Sequence, residues 1–129
     1  MNLLLDTHAI LWWWGFPERL SESAREAIAS PENTVFASPV SAFEIALKHR
    51  LGKLTVPPNL LSDFEGAVRM ERWRTLPLDM AHAVLAGQLD TEHRDPFYRL
   101  LAAQAIVEDL RMLTCDRALV AMSDLQVLW

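Results

Sequence analysis

The stretch NLLLDTHAILWWW, residues 2–14, decides the fold of this chain. It begins with a short apolar run, Asn2–Leu5, that Asp6 ends, and this pattern is typical of a buried strand. Similar short runs follow at Thr34–Ala37 and at residues 112–114, and helical patterns lie between them. Because strands that alternate with helices form parallel sheets covered on both faces, the sequence predicts an α/β fold with a small, mostly parallel sheet.

Capping residues and helix breakers predict the other elements. A helix begins in the segment LSESARE, with an S-x-x-E box at Ser23 and Glu26. Another begins at Ser38-Pro39 and runs to about Leu51, with Gly52 as its stop. We also expect helices over residues 60–72, 80–86 and 96–109, strands at 74–78 and 127–128, and a short helix from Arg117.

Composition limits the class of protein. With 129 residues and 51% hydrophobic content, we expect a single domain over residues 1–129 with a sizeable core. One cysteine, Cys115, cannot form an internal disulfide, which predicts a cytoplasmic protein, and no apolar run approaches the roughly 20 residues of a membrane span. The net charge of −5 argues against indiscriminate coating of nucleic acid but allows a local basic groove.

Two aspartates follow predicted strands directly. Asp6 follows the first strand, and Asp116 follows the strand at residues 112–114 once Cys115 is counted as its last residue. In an open parallel sheet both would lie at the carboxyl edge, where ligands bind. The alternative is that each aspartate is a turn residue or a helix cap.

Glu44 lies where an apolar side chain is expected. On the helix that begins at Pro39, it falls within the apolar stripe of Val40, Phe43, Leu47 and Leu51. A buried carboxylate costs several kcal/mol unless it is paired, protonated or bound to a metal. A salt bridge is one explanation, but no lysine or arginine is an evident partner, so we favour a metal.

Three carboxylates at one edge would repel each other unless a cation lay among them. Oxygen ligands select Mg²⁺ or Mn²⁺, and the four histidines, including His93, have no zinc-ligand spacing. The chain has no glycine-rich phosphate loop and no serine nucleophile elbow. Metal-dependent phosphodiester chemistry remains.

Four segments in this order resemble a PIN domain, specifically the VapC kind of toxin: LLLDTHAILWW, SPVSAFEIALKHRLGKL, HRDPFYRLLAAQA and LTCDRAL. The resemblance implies a PIN-like three-layer sandwich and a magnesium- or manganese-dependent endoribonuclease. It also implies a homodimeric toxin held inactive by a cognate antitoxin, with operator DNA bound only through the antitoxin complex, and no membrane association.

The resemblance assigns Asp6, Glu44 and Asp116 as catalytic, metal-binding acids, and it places a fourth acid where this chain has Tyr98. A neutral tyrosine removes a negative charge from the site, so we expect a weakened or inactive nuclease. Asp95 either compensates as a ligand or caps its helix. The alternative function is a non-catalytic module of the same fold that binds RNA or an antitoxin.

Substrate contacts are expected from residues beside these acids. The hydroxyl groups of Thr7 and Ser41 could orient metal-bound water or cap backbone groups, and Arg99 and Arg117 could bind RNA or simply occupy solvated helix ends. Residues 12–14 are three consecutive tryptophans, and successive helical positions lie about 100° apart. At least one ring therefore lies on the surface or in an interface with an antitoxin helix or a second toxin.

Overall fold

The computed structural model describes residues 1–91 and 94–129. Within them the strands form one sheet, in the order β3-β2-β1-β4-β5, and every pairing is parallel. The prediction of a mostly parallel sheet is confirmed. The strands are β1 Asn2–Leu5, β2 Thr34–Ala37, β3 Arg74–Thr75, β4 Arg111–Leu113 and β5 Val127–Leu128.

Helices cover both faces of this sheet. Along the central strand, Leu3 and Leu5 pack into one core and Leu4 into the other, because successive side chains of a strand point to opposite faces. The predicted three-layer sandwich is therefore confirmed. No helix in the described residues has the length and apolarity to cross a membrane. The helices are α1 Thr7–Gly15, α2 Glu22–Ala29, α3 Pro39–Arg50, α4 Phe64–Met70, α5 Met80–Gln88, α6 Pro96–Val107 and α7 Arg117–Val120, with a 3₁₀ turn at Pro17–Arg19.

Two predicted helix starts are wrong. The α2 cap is Ser21, whose Oγ accepts from the Ala24 backbone N at 3.0 Å, so the box proposed at Ser23 lies inside the helix. Helix α4 begins at Phe64 rather than at residue 60, because the Asp63 carboxylate accepts from the backbone N–H of its first turn. Both errors arose because a second capping side chain lay nearby.

The buried face of α3 differs from the predicted apolar stripe. Phe43 is 61% exposed and Leu51 is 50% exposed. The buried face is instead partly polar, because it includes Ser41 and Glu44 beside Val40 and Ile45. The helix ends as predicted, since Gly52 adopts a φ of 73° that glycine tolerates best.

The three tryptophans of α1 are all partly buried, as expected for consecutive positions that cannot share one face. The Trp14 ring stacks on Trp73 with centroids 5.5 Å apart. The indole N–H groups of Trp13 and Trp14 both donate to the carboxylate of Glu71. The run therefore ties α1 to the end of α4, and a role in an interface stays a prediction.

Candidate metal centre

The carboxyl ends of β1 and β4 bring Asp6 and Asp116 together through Thr114. The Thr114 hydroxyl donates to Asp6 Oδ2 at 2.6 Å, and its oxygen accepts from the Asp116 backbone N at 3.1 Å. The strands are held in register here by Asp6 N, which donates to the Leu113 carbonyl. One buried threonine thus bridges the two aspartates at the sheet edge.

Both aspartates also cap helices. Asp6 Oδ1 accepts from Ala9 N at 2.7 Å, and Asp116 Oδ1 accepts from Leu119 N at 3.1 Å. Each carboxylate keeps lone pairs beyond its cap, so capping and metal ligation are compatible. Burial raises the pKa of Asp6 to about 6, with a smaller push in the same direction from the Asp116 charge.

Glu44 is completely buried, as predicted from its position on α3. Its Oε2 accepts from Lys48 Nζ at 2.5 Å. The prediction that no lysine or arginine is an evident partner is therefore wrong, and the i, i+4 spacing within α3 could have revealed Lys48. The other oxygen, Oε1, is buried without a hydrogen-bond partner in the described structure.

Tyr98 lies where the negative charges converge. Its side chain is 3% exposed, and its hydroxyl lies 2.5 Å from Nδ1 of His8. Burial raises the pKa of Tyr98 far above its ordinary value, and the charges of Asp6, Glu44 and Asp116 raise it further. All three predicted acids therefore act on one neutral phenol, although they come from β1, α3 and the end of β4.

Asp95 caps α6, where its Oδ1 accepts from Phe97 N at 2.9 Å. This contact is the capping role considered for it, and metal ligation by Asp95 stays a prediction. His93, at the start of the same segment, lies outside the described residues.

The two hydroxyl groups considered as contacts to substrate or metal-bound water, those of Thr7 and Ser41, form a hydrogen bond with each other. Thr7 Oγ1 donates to Ser41 Oγ at 3.0 Å, and both residues are buried. This hydrogen bond joins the first turn of α1, which Asp6 caps, to the first turn of α3, the helix that contains Glu44. Orientation of metal-bound water by either hydroxyl stays a prediction.

The two candidate RNA-binding arginines differ in their surroundings. The Arg99 guanidinium donates to carbonyl oxygens at the end of α5, at 3.0 Å to Ala86 and 2.8 Å to Leu89. These contacts give Arg99 a structural role as a helix C-cap. Arg117 is exposed at the first position of α7, directly after Asp116, which makes it the better placed of the two for a substrate.

The carboxylates of Asp6, Glu44 and Asp116 have the chemistry that a hard divalent cation requires, but in the described structure their oxygen atoms do not all lie within 4.8 Å of one another. A cation at the edge would satisfy the orphaned Oε1 of Glu44 and favour the ionised form of Asp6, whose pKa burial raises. Carboxylate oxygens are the ligands that Mg²⁺ and Mn²⁺ prefer. Sequence reasoning missed two further residues here, His8 and Thr114, although each lies within two positions of a predicted acid.

A second group with metal-ligand chemistry lies at the other end of α6. The ligand atoms of Asp79, His82 and Glu108 lie within 4.8 Å of one another. Both ring nitrogens of His82 are already engaged: Nδ1 accepts from Asp79 N at 3.0 Å, and Nε2 lies 3.0 Å from Glu108 Oε1. This arrangement is a capping box extended to α6, which explains the buried histidine without an ion.

Known proteins share this sequence pattern and fold. The family model described as PIN domain matches residues 3–125. Ribonuclease VapC22 from Mycobacterium tuberculosis is 32% identical over 119 residues, which are 92% of this chain and 89% of that protein.

Solved structures agree at the level of the fold. A chain of VapBC2 from Rickettsia felis, bound to a DNA fragment from its promoter, has a TM-score of 0.73 at 18% identity and covers 100% of this chain and 99% of its own. A chain of DNA-bound VapBC from Salmonella typhimurium has a TM-score of 0.69 at 20% identity, over 99% and 97%. The chain therefore belongs to the PIN-domain family, among relatives of the VapC kind.

Proposed function

We propose that this chain is the toxin of a type II toxin–antitoxin pair and acts as a divalent-metal-dependent endoribonuclease. The relative from M. tuberculosis is named a ribonuclease, and membership of the PIN family supports the same chemistry here. The observation that carries the proposal is the buried Glu44: its Oε1 has no hydrogen-bond partner in the described structure, and its charge, like those of Asp6 and Asp116, raises the pKa of Tyr98.

Asp6, Glu44 and Asp116 would hold Mg²⁺ or Mn²⁺. Such an ion would supply an activated water and would stabilise the leaving oxygen of the phosphodiester. The chain's own residues orient the carboxylates: Thr114 holds Asp6 and the backbone of Asp116. The bond between Thr7 and Ser41 keeps the first turns of α1 and α3 together.

Tyr98 weakens this site. Because the phenol is neutral and buried, it contributes no negative charge to ion binding where the family pattern has an acid. We therefore propose a lower metal affinity and a slower nuclease than a site with four acids would have. The alternative is a module of the same fold that binds RNA or the antitoxin without cleavage.

RNA cleavage with Mn²⁺ distinguishes these functions. The parent chain, Tyr98→Asp and the double variant Tyr98→Asp/Asp6→Asn are incubated with total RNA. We expect discrete cleavage products to increase with Tyr98→Asp and to disappear in the double variant. RNA left intact by all three chains, in preparations that bind RNA, would favour the non-catalytic module.

The proposed partners are a cognate antitoxin, a second copy of the toxin, and operator DNA bound through the antitoxin complex. The neighbours in R. felis and S. typhimurium are VapBC proteins bound to DNA, which supports this assignment. The antitoxin would place an arginine among the carboxylates, where it would pair with the acidic edge. Co-expression with the product of the adjacent gene tests this: a toxin that neither co-purifies with that product nor loses nuclease activity to it would contradict the pairing.

A further inference from the structure

A cleft of about 400 Å³ opens beside the first turns of α1, and its charges oppose those of the whole chain. Three basic side chains line it, Arg19, Lys48 and Lys53, and because Lys48 is paired with the buried Glu44, Arg19 and Lys53 supply its net positive charge. Among the lining residues that the structure describes, none is Asp or Glu. In a chain with 12 Lys and Arg against 17 Asp and Glu, this is a local reversal of charge. The cleft is therefore suited to an anion.

Most of the other residues that line the cleft are apolar, and several of these are aromatic. Trp12 lies on the wall that leads from Asp6 along α1, with its ring 5.5 Å from the ring of His8. Phe16 lies further along, with the Arg19 guanidinium 4.8 Å above its ring. Basic grooves with aromatic faces bind single-stranded nucleic acid, because the bases stack while the cations contact phosphates.

His8 connects the cleft to the metal centre. It follows Asp6 by two residues, lines the cleft and is exposed. Nδ1 of its ring lies 2.5 Å from the hydroxyl of the buried Tyr98. Within the described part of the chain the hydrogen bond of the ring is made at Nδ1, which leaves Nε2 for a ligand.

We propose that His8, Arg19 and Lys53 form a subsite for single-stranded RNA next to the carboxylates, and that Tyr98 is the positioning residue that orients His8. The inference rests on the proposed function for its choice of RNA. In this proposal Tyr98 does not bind the metal ion, as a carboxylate at this position would. Its hydroxyl instead fixes the orientation of His8, which contacts the RNA. An acidic antitoxin segment is the competing occupant.

Fluorescence anisotropy with a short single-stranded RNA tests the subsite, in a chelator so that cleavage does not interfere. Arg19→Glu and Lys53→Glu are compared with Arg25→Glu, which reverses an exposed charge on α2 outside the cleft. We expect about a tenfold loss of affinity for each cleft variant and less than about a twofold loss for the control. Equal losses in all three would show that binding follows net charge alone and would overturn the subsite.

The role of Tyr98 is tested with Tyr98→Phe, which keeps the ring and removes the hydroxyl. We expect Tyr98→Phe and His8→Ala to weaken RNA binding several-fold, and the double variant to be no weaker than His8→Ala. His8→Gln, which keeps a donor, should recover part of the affinity. Additive losses, or unchanged binding by Tyr98→Phe, would exclude positioning by Tyr98.

The two proposals fail in different ways. Loss of RNA binding in the cleft variants, with no cleavage by Tyr98→Asp, would retain the subsite and reject the nuclease. Cleavage by Tyr98→Asp, with RNA binding insensitive to Arg19→Glu and Lys53→Glu, would retain the nuclease and reject the subsite. Cleft variants that bind RNA normally but no longer capture the adjacent gene's product would assign the cleft to the antitoxin.

Discussion

Lys48 Nζ lies 2.5 Å from Glu44 Oε2, one helical turn away on α3. The Lys48 side chain is partly exposed and lines the cleft, whereas the Glu44 carboxylate is completely buried. The lysine therefore neutralises the acid from the solvent side. In the absence of a metal ion, Lys48 thus supplies the cation that a buried Glu44 requires. An incoming divalent ion would compete with it for the same charge.

Lys48→Met should therefore destabilise the metal-free protein by about 3 kcal/mol, because it leaves a buried carboxylate unpaired. Urea denaturation measures the loss, and Lys53→Met, which removes an exposed lysine, is the matched control. Adding Glu44→Gln to Lys48→Met should recover most of the stability. Mn²⁺ should stabilise Lys48→Met more than the parent chain, and equal stability of the two lysine variants without metal would contradict this account.

The raised pKa of Asp6 predicts the pH dependence of stability. Because the pKa of Asp6 is about 6 in the folded chain against an ordinary value of 3.8, the folded state binds this proton more tightly than the unfolded state does. The unfolding free energy therefore falls as pH rises from about 4 to about 6. Above that range, ionisation of the buried Asp6 lowers it by roughly 3 kcal/mol in total.

Asp6→Asn should remove this cost while its side-chain oxygen still caps Ala9. We expect the variant to exceed the parent in unfolding free energy by up to about 3 kcal/mol at pH 7.5, and the gain to vanish near pH 4. Denaturation across this range is the measurement, with the exposed Asp124→Asn as control. A gain that does not change with pH would show that Asp6 titrates at an ordinary value.

We expect Arg99 to have a structural role and Arg117 to bind substrate. Arg99→Met removes hydrogen bonds to the end of α5 and should cost about 1–2 kcal/mol of stability, with RNA affinity unchanged. Arg117→Met should leave stability nearly unchanged and weaken RNA binding. Thermal denaturation and anisotropy distinguish them, and the reverse pattern would exchange the two assignments.

Tyr98→Asp should change the response to metal as well as activity. A further negative charge beside Asp6, Glu44 and Asp116 should lower the melting temperature of the metal-free protein, because like charges in one site repel. Mn²⁺ should recover the loss by binding only the folded state, whereas the parent chain should gain little. Equal metal-induced shifts in both proteins would place the ligand elsewhere, with Asp95 as the next candidate.

Local patterns in the sequence were sufficient to predict most of the fold. The apolar run Asn2–Leu5 is the central strand, Gly52 ends α3, and Asp6 and Asp116 follow neighbouring strands of a parallel sheet. These features depend on side-chain periodicity and on caps, which act over a few residues. Helix starts were less certain, because Ser21 and Ser23 offer competing caps within one turn.

The partners of the site residues were decided by the tertiary structure. Tyr98 meets His8 across 90 positions of sequence, and Thr114 meets Asp6 across 108. The packing of α3 buries Glu44 while it exposes Phe43, against the apolar pattern of that helix. Sequence periodicity determines which side chains share a face of one element, but the rotation and register of neighbouring elements depend on how all the layers pack together. For that reason the sequence alone could propose the three acids as candidates, and only the folded chain showed that Lys48 pairs with Glu44 and that the Tyr98 hydroxyl contacts His8.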